Sequence, residues 1–260
     1  MPYLRTPNTI LYYDTFEADF KVPASLEVQT VLLIHGFAGT PASDFAGQLP
    51  ALRSCYRVLA PHLHGYGRSS QRQNYTTSYY RDDVADLLAL LDALMIEQVL
   101  VLGFSDGAIV GLLLAALHPQ RVKALAVLGA QPTINAANVA AIRHWLLEKP
   151  LSEEWQAELA TLHGEPYWRI LPTMYVAAQE ALVASGGVLI SDEELAAIRC
   201  SALIMHGVRD RIVPADYARI IADHIPQSQL LLFEAGHAAH IRCEKEYTAA
   251  VMQFFLDASL

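Results

Sequence analysis

Leu100-Val101-Leu102-Gly103-Phe104-Ser105-Asp106-Gly107-Ala108 is an apolar, strand-like run that passes through G-x-S-x-G into a helical pattern, Asp106 to Leu117. A serine at this spacing sits on a very tight strand-to-helix turn, its hydroxyl raised above the end of the strand. Side chains larger than hydrogen at positions 103 and 107 would collide with that turn. The N–H after the serine, that of Asp106, then opens a helix, where partial positive charge suits an oxyanion.

A hydroxyl needs a base to take its proton and an acid to orient that base, and on this kind of turn they follow in the order serine, acid, histidine. After the predicted strand Ala202 to Met205 comes His206-Gly207-Val208-Arg209-Asp210-Arg211-Ile212-Val213-Pro214, which places Asp210 in the loop beyond a strand end. One strand later Glu234-Ala235-Gly236-His237 places His237 at the equivalent position. The competing position for the acid, after Val122 to Leu128, reads Gly129-Ala130-Gln131 and holds no carboxylate. The second oxyanion donor is expected from Ile34-His35-Gly36-Phe37, with the Phe37 N–H as donor and His35 bracing the loop.

Outward from these motifs, apolar runs alternate with helical patterns, as in a mostly parallel sheet covered on both faces. Strands are predicted over Val28 to Ile34, Tyr56 to Ala60, Gln98 to Gly103, Val122 to Leu128, Ala202 to Met205 and Gln229 to Phe233, with an antiparallel edge pair around Ile10 to Phe16. Helices are predicted over Ala42 to Leu52, Tyr79 to Met95 with Ser78 as N-cap, Asp106 to Leu117, Ala215 to His224 and Glu244 to Leu256. The alternation breaks from Gln131 to Arg199, where only helical pattern occurs: Ala136 to Leu147, Glu153 to Leu162 and Trp168 to Ala184. This stretch holds all three tryptophans (Trp145, Trp155, Trp168) and nine acids against four bases. It reads as a helical cap over the carboxyl edge of the sheet, where ligands of open α/β sheets bind. Phe37, Trp145 and Trp168 are the expected substrate contacts; a tryptophan that misses the substrate would build the cap's own core. The organisation expected is an α/β core of residues 1–130 and 200–260 with a cap of 131–199.

Composition narrows the function further. With 260 residues, 53% of them hydrophobic, the chain can bury a large core. Its net charge of −9 and lack of a basic run argue against nucleic acid. No apolar run is long enough for a membrane span and the N-terminus has no signal-peptide pattern. The three scattered cysteines suggest neither a disulfide framework nor a metal knuckle. A cytoplasmic protein is expected. His237 with His240, and His62 with His64, lack a suitably spaced third ligand, so no metal is expected. No lysine follows Gly65 and Gly67 as in a phosphate loop.

Taken together, strand–His35-Gly36, Gly65-Tyr66-Gly67-Arg68-Ser69, Gly103-Phe104-Ser105-Asp106-Gly107, Asp210 with Val213-Pro214, and Gly236-His237 resemble the α/β-hydrolase fold enzymes over essentially the whole chain. The resemblance implies a mostly parallel eight-stranded sheet flanked by helices with a helical cap insertion, and Ser105, His237 and Asp210 as nucleophile, base and acid. One departure is His62, where relatives usually carry an Asp; it bears on how the loop after Ala60 is held. Ser105-Asp106-Gly107, the short cap and Gly236-His237-Ala238-Ala239-His240-Ile241-Arg242 look like the valacyclovir-hydrolase-like (biphenyl-hydrolase-like) amino-ester hydrolases. That narrower resemblance implies that Asp106 pairs with a substrate α-ammonium group; the alternative is that Asp106 only complements the helix dipole.

The reading is a cofactor-free serine hydrolase of small-molecule carboxylic esters, α-amino-acid esters among them. Two alternatives stay open, a C–C bond hydrolase of dienone acids with the same triad and a slow-turnover ligand sensor. Natural substrate and oligomeric state are not legible.

Overall fold

The computed structural model describes residues 2–19 and 28–259. Eight strands, β1 (Tyr3–Arg5), β2 (Ile10–Phe16), β3 (Thr30–Ile34), β4 (Arg57–Pro61), β5 (Val99–Phe104), β6 (Val122–Leu128), β7 (Ser201–Gly207) and β8 (Ser228–Phe233), form one sheet in the order β1-β2-β4-β3-β5-β6-β7-β8. β1 and β2 run antiparallel at the edge, and β2 is antiparallel to β4. All later pairings are parallel. β3 and β5 are buried at every position, β6 and β7 at all but one each. Strands without polar alternation have no face to offer to water, so helices must cover both sides.

They do so in two layers. α3 (Tyr79–Ala93) and α4 (Asp106–Leu117) pack one face with Leu87, Leu90, Ile109 and Leu113. α2 (Leu49–Arg53) and α11 (Glu244–Asp257) pack the other with Leu52, Tyr247, Val251 and Phe255. α1 (Pro41–Asp44), α9 (Asp216–His224) and α10 (Ala239–Arg242) are shorter connectors. No helix among the described residues is long and apolar enough to cross a membrane.

Between β6 and β7 lie α5 (Ala136–Arg143), a π turn (His144–Glu148), α6 (Glu153–His163), α7 (Tyr167–Ala184) and α8 (Asp192–Ala197). Polar pins fasten this insertion to the loops of the sheet. The Gly67 N–H donates to His163 Nδ1 at 2.9 Å, while His163 Nε2 donates to the Ala38 carbonyl at 2.9 Å. Burial lowers the pKa of His163, which favours the neutral ring that this donor–acceptor pairing requires. The Arg72 N–H donates to the Tyr167 hydroxyl at 3.0 Å.

The parallel register sets the site. Ile34 of β3 is opposite Gly103 of β5, Phe104 opposite Leu128 of β6, Leu128 opposite Met205 of β7, and Gly207 opposite Phe233 of β8. The loops that follow these strands therefore leave the sheet along one edge.

Elements depart from expectation where a local signal outweighed the apolar pattern. Ala42 to Leu52 is two short helices, because Pro50 has no N–H to continue a turn from α1 and instead sits in the first turn of α2. Ala136 to Leu147 leaves the α geometry after Arg143, and the π turn carries Trp145. α8 was not foreseen, although Ser191 and Glu194 form a capping box at its start. Ser78 precedes α3, but its hydroxyl bonds the Asp82 carboxylate and caps no backbone N–H.

Candidate active site

Ser105 has φ 53° and ψ −119°, a conformation that a non-glycine residue keeps only when its surroundings enforce it. The enforcement is visible at Gly107, where an added Cβ would lie 2.0 Å from the Ile34 carbonyl oxygen. Without a side chain at 107, α4 starts directly against the end of β3. The Ser105 N–H is held by the Leu128 carbonyl at 2.8 Å, which ties the turn to β6.

Ser105 Oγ is 2.9 Å from His237 Nε2, and His237 Nδ1 is 2.6 Å from Asp210 Oδ2. With Nδ1–H donated to the carboxylate, Nε2 is free to accept the serine proton. The Asp210 side chain is fully buried. Its Oδ1 accepts the N–H groups of Ile212 and Val213 at 2.8 and 3.0 Å, and His206 Nε2 lies 3.2 Å from Oδ2. Burial alone would raise the pKa of Asp210, but hydrogen bonds from His206, His237 and the Val213 N–H hold it well below the usual carboxylate range. Beneath the imidazole lies Gly129 with φ +74°, where a Cβ would stand 3.0 Å from His237 Cε1. The glycine read as the empty acid position is thus the floor under the histidine.

The two predicted oxyanion donors, at Phe37 and Asp106, follow the ends of the neighbouring strands β3 and β5. Neither the Phe37 nor the Asp106 N–H finds an acceptor among the described residues. The loop that carries Phe37 is fixed from both sides. The Gly36 N–H donates to Asp44 Oδ2 at 2.9 Å. The buried His35 joins the Gly36 carbonyl through Nδ1 at 2.8 Å, and its Nε2 accepts the Leu63 N–H at 2.9 Å. Burial pushes His35 down to about 3, which keeps it neutral as a brace and unfit as a second base. Burial also raises Asp44 to about 6 against the pull of the Gly36 N–H and Ser43 hydroxyl. The departure at His62 has a local answer: its Nδ1 accepts the Arg68 N–H at 3.1 Å and its carbonyl accepts the Ser69 hydroxyl at 2.6 Å, so imidazole and backbone hold this loop.

Above Ser105 opens a cavity of about 300 Å³. Phe37, Ser105, Asp106 and His237 form its floor, and Ile142, Trp145, Trp155 and Tyr175 of the insertion line it from above. Trp145 and Trp155 stack at 5.2 Å between ring centroids, and Phe37 packs on Tyr175 at 3.9 Å. The expected contact from Trp168 is corrected. It is 5% exposed and does not line the cavity; it packs with Ala38 and Leu159 behind the lining residues Phe37 and Trp155, because the start of α7 turns its indole toward α6. Trp155, from α6, takes the cavity position instead.

Asp106 is 6% exposed and lines the cavity. Its Oδ1 accepts the hydroxyls of Tyr80 and Tyr175 at 2.9 and 2.8 Å, whereas Oδ2 has no partner among the described residues. Burial raises its pKa to about 6, with the two phenols pulling it down. Gln131, 3% exposed and also lining the cavity, leaves Oε1 unpartnered. Sequence reading missed Gln131, Tyr80 and Tyr175. For Gln131 a signal existed, its position just past the end of β6; for the tyrosines none did.

Comparison with known proteins identifies the fold family. The family model for the alpha/beta hydrolase fold matches residues 29–242. The chain is 29% identical to the serine hydrolase BPHL of Mus musculus over 86% of its own length and 78% of that protein. It is 27% identical to a 2-hydroxymuconate semialdehyde hydrolase of Pseudomonas sp., over 88% and 87% of the two chains. In structure it resembles the 2-hydroxy-6-oxo-6-phenylhexa-2,4-dienoate hydrolase of Rhodococcus sp. strain RHA1, with a TM-score of 0.81 at 21% identity over 98% of this chain and 97% of that one.

Proposed function

The chain belongs to the α/β-hydrolase fold family, and from that premise we propose that it is a serine hydrolase cleaving small carboxylic esters, α-amino-acid esters in particular, through an acyl-enzyme on Ser105. The observation that carries this reading is the hydrogen-bonded chain Ser105–His237–Asp210 on the floor of a 300 Å³ cavity.

Ser105 Oγ attacks the ester carbonyl carbon as its proton passes to His237 Nε2, and the imidazolium is held against the ionised Asp210. The Phe37 and Asp106 N–H groups receive the carbonyl oxygen as it becomes an oxyanion, each contributing about 3 kcal/mol to the transition state. The tetrahedral intermediate collapses, the C–O bond breaks, and His237 returns the proton to the leaving alcohol. Water, deprotonated by the same imidazole, attacks the acyl-enzyme and releases the acid, restoring Ser105. The helical insertion serves as the cap that encloses the acyl group.

The amino-ester preference rests on the unpartnered oxygens of Asp106 and Gln131. A buried acceptor without a donor costs about 1–3 kcal/mol, and an ammonium group brings three donors and the compensating charge. The same lining suits a cationic acyl group: it presents the Asp106 carboxylate and, among the described residues, includes no Lys or Arg.

Ser105→Ala should abolish turnover of p-nitrophenyl acetate with an unchanged circular dichroism spectrum. Methyl esters of amino acids should be cleaved faster than their N-acetyl counterparts, a difference that Asp106→Ala removes. Full activity of Ser105→Ala, or equal rates for the two esters in the intact enzyme, would overturn the corresponding part of the proposal.

A further inference from the structure

A second cavity, of about 470 Å³, opens outside the first and shares Trp145, Ile212 and His237 with it. Ser105, Asp106 and Phe37 border only the inner cavity. In the proposed reaction the acyl carbon sits at those three residues, whereas the leaving oxygen takes its proton from His237. A volume that touches the imidazole but neither the nucleophile nor the oxyanion donors is therefore placed to hold the leaving group.

Its charge is the opposite of the rest of the molecule. His144, Lys149, Arg209 and Arg211 line it and no carboxylate does, in a chain of net charge −9. At the rim His144 pairs with Glu148 at 3.0 Å and Arg209 with Glu234 at 2.8 Å. Lys149 and Arg211 have no ion pair among the described residues. With Asp106 in the inner cavity and uncompensated cations in the outer one, the two ends of the site carry opposite signs. From this juxtaposition we infer that the outer cavity is a leaving-group subsite for an anion, and that the preferred substrates are esters whose alcohol portion carries a carboxylate or phosphate. This inference rests on the ester-hydrolase reading for its place in the reaction, but the anion preference of the cavity is measurable without turnover.

The test compares 4-acetoxybenzoate and 4-acetoxyphenyl phosphate with the uncharged 4-acetoxybenzamide. Wild-type protein should favour the two anions in kcat/KM at low ionic strength and lose the preference in 0.5 M NaCl. Lys149→Glu with Arg211→Glu changes the charge lining the subsite by four units, which should lower the anion-to-neutral ratio about five- to tenfold at low ionic strength. Any effect of Arg211→Glu on the adjacent Asp210 or on His237 acts on all three esters and cancels in that ratio. Arg5→Glu, on edge strand β1 at the far end of the sheet, should leave the ratio unchanged. A preference for the phosphate over the benzoate would name a phosphorylated alcohol; the reverse would name a carboxylate.

In parallel, Ser105→Ala protein is titrated with 4-hydroxybenzoate and 4-hydroxybenzamide, read by tryptophan fluorescence. Tighter binding of the benzoate, weakened by the two reversals, supports the subsite even if no ester is hydrolysed, an outcome that sinks the ester reading alone. Hydrolysis or binding that ignores the ligand's charge, or a preference that survives both reversals, overturns the subsite and leaves the ester reading intact.

Discussion

Gly129→Ala isolates the most exacting packing contact of the site. The new methyl would stand 3.0 Å from His237 Cε1 and 3.4 Å from Nδ1, on a backbone with φ +74°. Ordinary contact begins near 3.4 Å, so the ring must give way by several tenths of an ångström. It cannot slide toward Asp210, already at 2.6 Å and pinned by Ile212, Val213 and His206. The displacement falls on the 2.9 Å contact with Ser105. Misplacing a reacting group by such amounts costs about 10- to 100-fold in rate. The left-handed backbone costs a further 1–2 kcal/mol or so of stability, about 2–4 °C in melting temperature for a chain of this size. The assay is steady-state hydrolysis of p-nitrophenyl acetate beside thermal unfolding by circular dichroism. Gly164→Ala is the control: φ is +77°, but nothing lies within 4 Å of the Cβ position, so stability falls and activity stays. A Gly129→Ala enzyme with wild-type kcat, or a Gly164→Ala enzyme equally impaired, refutes the packing argument.

Other perturbations test other contacts. Asp106 has a folded pKa near 6 and an unfolded value near 3.9, so between these pH values the folded chain binds a proton that the unfolded chain lacks. Wild-type stability must therefore fall as pH rises through that window; relative to it Asp106→Asn gains about 2–3 kcal/mol between pH 4 and 7, read from urea midpoints. The amino-ester preference should likewise shrink below pH 6 as Asp106 becomes neutral. Trp168→Ala should cost about 3–5 kcal/mol of stability with KM nearly unchanged, whereas Trp155→Ala should raise KM for bulky esters. Asp44→Ala releases the Gly36 N–H and should lower kcat about tenfold with KM little changed; Asp44→Asn, which keeps an accepting oxygen, should restore most of the rate.

What the sequence conveyed and what it withheld divide along a physical line. Ser105, Asp210, His237 and Phe37 each lie a few residues beyond an apolar strand, in a short motif whose backbone geometry is local; parallel register then brings the strand ends to one edge without further information. The partners of Asp106 could not be read this way, since Tyr80 and Tyr175 reach it across 26 and 69 residues. The choice of Trp155 over Trp168 depends on how α6 and α7 are rotated against the sheet loops, which no window of either helix encodes. Both helices were legible from their apolar spacing, but spacing says which residues share a face and not what that face meets.

The pins on the insertion bear on how this protein could be re-engineered. Residues 131–199 look like a cassette, since both ends join neighbouring strands, yet His163 and Tyr167 answer backbone N–H groups of Gly67 and Arg72 that belong to the sheet's own loops. A chimera that grafts in foreign helices without an imidazole and a phenol at those places would strand two amide donors, at about 1–3 kcal/mol each. Transplants into this scaffold should therefore keep the segment from His163 to Tyr167 and exchange only α5 and the π turn, where the wall of both cavities can be rebuilt without touching the clasp.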